Sequence, residues 1–246
     1  MEMADIVDLK PTAHNGRAGS IPVRRTRNTR RREECTYCPR TWSSKDHIPP
    51  SCVFENKRRI LSVPSCEKCR KQWCGDDQYF WAQLAAREGD DIPEEVRLRF
   101  ERTLEKPENR GLVRNMIASI CKCEPDGRFS YKPDVHRLAR VVERIAKGLY
   151  REEFGFKPPG SLMVKAWACD FIEYSKSLHD LTNLTLRYGQ GRWLGFNNEV
   201  RYLRLVVHDD GRPNYSFIGP RVPRCVFWVI QFYGKTAFCV KMLPFE

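Results

Sequence analysis

Two Cys-x-x-Cys pairs, Cys35/Cys38 and Cys66/Cys69, limit what the first third of this chain can fold into. Each pair brings two thiolates to one side of a tight turn. Two such turns complete a tetrahedral site with sulfur about 2.3 Å from a zinc ion. Residues 34–89, the segment around them, are too few to hold together by burial alone, and a structural Zn2+ supplies the missing stability. The chain carries eleven cysteines, and its opening residues show no apolar run of the kind that begins a secretory signal. Reduced thiols are therefore expected, the paired ones as metal ligands and most others as small buried residues. The most apolar run, Cys225 to Ile230, is far too short for a bilayer. The expectation is a cytoplasmic protein with no membrane partner.

Charge points to the partner. The formal net charge is +12, and Arg24, Arg25, Arg27, Arg30, Arg31 and Arg32 crowd together with no acid among them. Residues 1–33 read as a flexible basic arm. Each arginine can displace a counterion from a phosphate backbone, so DNA or RNA is the expected polyanion, although acidic membrane surfaces attract the same composition.

The rest of the chain reads as α+β. After the cysteine-rich segment 34–89, whose end has a helical pattern with Phe80, Leu84 and Ala85 buried, residues 90–160 read as helical. Pro93 with Glu94 and Glu95 starts one helix, carrying Val96, Phe100 and Leu104. A second follows Pro107 with Leu112, Met116 and Ile120. The clearest period runs from Pro133 to Tyr150, with Leu138, Val142, Ile145 and Leu149 on one face and Arg137, Arg140, Arg144, Lys147 and Arg151 on the other. Such a basic stripe either follows a phosphate backbone or is simply solvated. Residues 161–246 read as a β-rich region after one more helix around Val164 to Leu178. Its strands run from Val200 to His208, from Val226 to Tyr233 and from Thr236 to Met242, the last two joined as a hairpin. This antiparallel sheet is the expected surface for a second copy or another protein.

Between the cysteine pairs lies Ser44-Lys45-Asp46-His47-Ile48-Pro49-Pro50. Adjacent strand residues face opposite ways, so a local bend is needed to aim both Asp46 and His47 at one phosphate. Pro49 and Pro50 stiffen the exit and withhold ladder hydrogen bonds. CTYC at 35–38, DHIPP at 46–50 and LSVPSCEKC at 61–69, followed by Asp76-Asp77 before Tyr79-Phe80, resemble the HNH, or ββα-metal, endonuclease family. The likeness is to members clasped by a four-cysteine zinc, and it covers roughly a fifth of the chain. The segment Ile145 to Tyr150 and Phe232-Tyr233-Gly234 look like sequences that accompany this core in bacterial HNH proteins.

The resemblance implies an endonuclease cutting DNA phosphodiesters. His47 takes a proton from the attacking water, and Asp46 holds a Mg2+ or Mn2+ ion on the scissile phosphate. Many members place asparagine directly after the last cysteine, or histidine one turn later, as a second ligand. Here Arg70 and Trp73 stand there, and neither binds a hard cation. A backbone break at Gly75 would let Asp76 or Asp77 serve instead. Without one, the site is a degenerate relic in a zinc-containing nucleic-acid-binding protein. Arg70 is suited to clamp a phosphate oxygen, and Lys45, Arg58, Arg59 and Lys71 add positive charge around the motif. Trp42 and Trp73 are candidates for stacking on bases, or for packing beside the zinc.

Overall fold

In the computed structural model of the protein, Glu34 bridges to Thr41 and closes the first cysteine turn. The chain then enters β1 (Ser44–Ile48), which pairs antiparallel with β2 (Leu61–Ser65). Helix α1 (Glu67–Ala85) follows at once, with Cys66 as its N-cap residue and Cys69 inside its first turn. The structure describes residues 34–55, 60–87, 92–123, 125, 127, 129–159, 162–168, 176–195, 199–207, 225–234 and 236–244. The arm 1–33, including Arg24, Arg25, Arg27, Arg30, Arg31 and Arg32, lies outside them, as do Arg58 and Arg59.

Helix α2 (Glu94–Glu105) begins at Pro93, where the proline and acidic first turn predict it. Helix α3 (Arg110–Ala118) ends earlier than expected, because Ile120 opens β3 (Ile120–Cys123), which forms a hairpin with β4 (Phe129–Tyr131). Helix α4 (Val135–Phe154) is the long amphipathic element of the sequence. Asp134 caps it by accepting from the His136 and Arg137 amides, at 3.0 and 3.2 Å, and Gly155 ends it with a left-handed φ of 77°.

The helix expected over Val164 to Leu178 does not begin at Val164. Residues from this stretch form β5 (Leu162–Ala168), and the helix comes later as α5 (Lys176–Tyr188). The period is two: Val164, Ala166 and Ala168 pack against the core from alternate positions. Strands β6 (Gln190–Trp193), β7 (Val200–Val207), β8 (Cys225–Phe232) and β9 (Thr236–Pro244) join β5 in an antiparallel sheet ordered β5-β9-β8-β7-β6. The protein is thus α+β, with five helices and a five-stranded C-terminal sheet among the described residues. None of those helices is long and apolar enough to cross a membrane.

Strand β8 explains why this half folds onto the first. It is buried nearly throughout because the sheet is covered on both faces. Val226, Trp228, Ile230 and Phe232 enter the main core beside Ile48, Phe80, Val142 and Leu149. Phe227 and Val229 form a smaller cluster with Leu205, Cys239 and Leu181 of α5. The segments 34–89, 90–160 and 161–246 therefore contribute to one core, and residues 32–246 form one unit.

The first half and the sheet also meet through polar clamps on the loop after β1. Tyr233 Oη donates to the Val53 carbonyl at 2.6 Å, and the Glu55 amide donates to Glu199 Oε1 at 2.8 Å. Arg99 of α2 donates to the carbonyls of Phe54 and Cys52, at 2.8 and 2.6 Å.

Candidate functional site

The two cysteine turns converge. The Sγ atoms of Cys35, Cys38, Cys66 and Cys69 all lie within 4.8 Å of one another, with Cys38 Sγ and Cys66 Sγ 3.6 Å apart. Tetrahedral zinc at the usual Zn–S length implies sulfurs about 3.8 Å apart, so the donor set suits zinc. The helix start primes one thiol: the backbone amide of Cys69 draws Cys66 down to about 7, whereas burial pushes the Cys38 and Cys69 thiols up. Among the described residues this is the one group of three or more His, Cys, Asp or Glu side chains placed to share an ion.

Strand β1 is regular and paired residue by residue with β2, without the bend that Asp46 and His47 were expected to need. Alternation therefore holds. Asp46 and Ile48 point inward, while Lys45 and His47 are exposed on the outer face, opposite Pro64 and Ser62. Arg70 and Lys71 are exposed on the first turns of α1, and Lys71 pairs with Glu67 at 2.7 Å. Trp42 is partly exposed, whereas Trp73 packs edge-on against Tyr37 with ring centroids 4.7 Å apart.

Asp46 meets groups that sequence reasoning did not assign to it. Tyr37, between the first two cysteines, donates its hydroxyl to Asp46 Oδ2 at 2.6 Å. Burial, and then the Asp46 carboxylate, pushes the Tyr37 phenol well above its ordinary range, so it stays a donor. Arg144 of α4 brings its Nε to 3.6 Å from the same oxygen, an ion pair longer than a hydrogen bond. The other end of that guanidinium grips Asp77, with Nη1 and Nη2 at 3.0 and 2.5 Å from its two oxygens. The Trp73 ring lies 5.2 Å from the guanidinium carbon. Burial works against the Arg144 charge, but Asp46 and Asp77 outweigh it and hold the guanidinium more firmly protonated. Burial also lifts Asp77 to about 6, against the pull of Arg144.

Asp76 is engaged as well. Its oxygens accept from Arg137 Nε and Arg140 Nε at 2.7 and 2.9 Å. Burial raises this carboxyl, and the two arginines more than reverse that, holding it below the usual carboxylate range. Helix α1 runs through Gly75 without the expected break; Asp76 is turned to Arg137 and Arg140, and Asp77 converges with Asp46 on the Arg144 guanidinium. Three arginines of the α4 stripe pair with the acids of α1: Arg144 is buried, Arg137 half-buried and Arg140 still exposed.

The four thiols thus fit zinc, whereas Asp46, Asp76 and Asp77 in this arrangement do not make a site for a hard divalent cation. Such an ion needs several oxygens turned toward one point, and those oxygens are turned toward arginines. Sequence could have flagged Arg144: it lies three residues after Val141 and four before Gly148, on the helix's buried stripe. Tyr37 had no comparable signal beyond its place between two ligands.

No protein-family model, no curated protein and no solved structure matches the chain.

Proposed function

We propose that this chain is an HNH-type nuclease acting on phosphodiester bonds in DNA or RNA, its β1–β2–α1 unit stapled by a four-cysteine zinc. The observation that carries the proposal is the order of parts. A cysteine turn leads into a strand ending in Asp46-His47-Ile48, and its hairpin partner leads into a helix whose first turn carries the second cysteine pair. His47 is exposed on β1, where an imidazole can take a proton from water attacking a bound phosphate. Lys45, two residues away on the same face, adds positive charge for the nucleic-acid backbone. Zinc is structural here, since four thiolates leave it no open position. Mg2+ or Mn2+ belongs to the family's chemistry, but Asp46, Asp76 and Asp77 are engaged by arginines and are not free to hold such an ion.

A second reading, a zinc-containing protein that binds nucleic acid without cutting it, is favoured by the same arginine pairs. Plasmid nicking by zinc-loaded protein, with and without Mg2+ or Mn2+, beside His47→Ala, separates the two. The nuclease predicts nicking that His47→Ala abolishes. Salt-sensitive binding with no nicking by either protein establishes the second reading.

A further inference from the structure

We infer that Arg144 is the resident cation of the Asp46–Asp77 pocket and that its guanidinium keeps a divalent ion out of it. The inference rests on the HNH-type reading only for the expectation that Asp46 would hold such an ion.

The geometry is that of a filled position. Arg144 is 2% exposed and lies between two carboxylates from different elements, Asp46 on β1 and Asp77 on α1. It takes both oxygens of Asp77 and lies against the Asp46 oxygen that already accepts from Tyr37. A hard dication bound by these carboxylates would sit within a few ångströms of a fixed positive charge, at a depth where repulsion is weakly screened.

Arg144 cannot step aside by losing its proton, because a guanidinium stays charged in proteins. Nor is there slack to swing it out. Val141 and Ile145, its neighbours on α4, are fully buried, and the Trp73 ring lies across it. One donor is nevertheless unused, since Arg144 Nε has no hydrogen-bond partner among the described residues. The guanidinium is held for its charge as much as for its hydrogen bonds.

The chemistry that follows differs from that of a metal pocket. A metal ion can be withdrawn by a chelator and exchanged for another; this charge is covalently part of α4. The wider acidic face of α1 repeats the pattern, Asp76 being neutralised by Arg137 and Arg140. Both carboxylates that might have replaced the missing second ligand are thereby closed to metal.

The test is Mn2+ binding to the full-length, zinc-loaded protein without nucleic acid, followed by titration calorimetry and by the paramagnetic signal of free Mn2+. The wild type is expected to show no Mn2+ site tighter than about 1 mM. Arg144→Met, and Arg144→Gln, which keeps a donor toward Asp77, are each expected to gain one site at least about tenfold tighter, lost again on adding Asp46→Asn. Arg144→Lys keeps the charge and should stay without one. A wild-type Mn2+ site that disappears in Asp46→Asn overturns the inference, even if neither neutral variant folds. A folded neutral variant that gains no site overturns it too, because the arginine would then not be what excludes the ion. The readout involves no cleavage, so a failed nuclease reading and a failed cation reading are told apart.

Discussion

Gly148 of α4 lies so close to Ile48 of β1 that a Cβ on the glycine would meet Ile48 Cδ1 at 2.6 Å and Cγ2 at 2.7 Å. The contact seats the strand bearing Asp46 and His47 against the helix bearing Arg144. A glycine in a helix interior costs up to about 1 kcal/mol relative to alanine. Overpacking a filled core costs about 1–3 kcal/mol, and Ile48 is fully buried with a branched side chain that has little room to move. Gly148→Ala should therefore destabilise the protein by about 1–2 kcal/mol net. Urea unfolding measures this, and a variant more stable than wild type would show that β1 and α4 are less tightly seated.

Removal of the proposed zinc should loosen the two cysteine turns, while β1, β2 and α1 stay held by the main core. Cys35, Cys66 and Cys69 are buried together with little else, packed by Tyr37 and Trp73. Metal binding there doubles as folding free energy. A chelator at neutral pH should abolish the near-ultraviolet circular dichroism of Tyr37 and Trp73, and added zinc should restore it. An unchanged spectrum after verified zinc loss would show that the turns persist without metal.

Glu199 sets a pH dependence. Its Oε1 accepts from the Glu55 amide, while its buried Oε2 has no hydrogen-bond partner among the described residues. Burial raises its carboxyl above the ordinary 4.5, only partly offset by the Glu55 amide. The folded state thus holds the proton more tightly than the unfolded chain. The stability this contributes is complete below the unfolded value and is lost as pH rises through the folded one. Glu199→Gln should flatten that decline, becoming the more stable protein at pH 7 and the less favoured one at pH 4. Parallel melting curves for the two proteins across that range would contradict the assignment.

Asp76→Asn tests where the α4 arginines are committed. The pair with half-exposed Arg140 contributes at most about 1 kcal/mol, and the pair with Arg137, whose side chain is 20% exposed, is better shielded. Stability should fall modestly. On the proposed function, nucleic-acid affinity should rise, because Arg137 and Arg140 regain uncompensated charge, and the log–log salt slope should steepen by about 1–2. An unaltered slope, measured on His47→Ala to suppress cleavage, would place α4 away from the bound backbone.

Tyr233→Phe removes a single hydroxyl and leaves the buried Val53 carbonyl without its donor, 2.6 Å away in the wild type. Orphaning such a group costs about 1–3 kcal/mol. The loss should register first as faster amide exchange at Val53 to Glu55. Uniform exchange changes across the chain would instead indicate a general loss of stability.

What the sequence disclosed follows the range of the interactions involved. The cysteine turns are local and were legible from spacing, as was α4 from its period. Strands β7, β8 and β9 were legible from β-branched and aromatic runs. Val164 to Ala168 was misread as helix because Val164, Ala166 and Ala168 suit either period until a partner strand chooses, and here β9 does. Of the candidate site, the cysteine cluster was legible. The motif singles out Asp46 and His47, but which way a strand turns them is decided by what lies beneath. The arginines of α4 were visible as a stripe, while their partners are more than sixty residues earlier in the chain. No periodicity connects such distant groups.

The clamp on the loop after β1 also sets a timetable. Val53 waits for a hydroxyl 180 residues downstream. At about 5–20 residues per second of synthesis, that delay is on the order of ten to forty seconds. Both cysteine pairs are made well before Tyr233 and can gather metal on the growing chain. The loop that follows His47 is completed only after Tyr233 has been made.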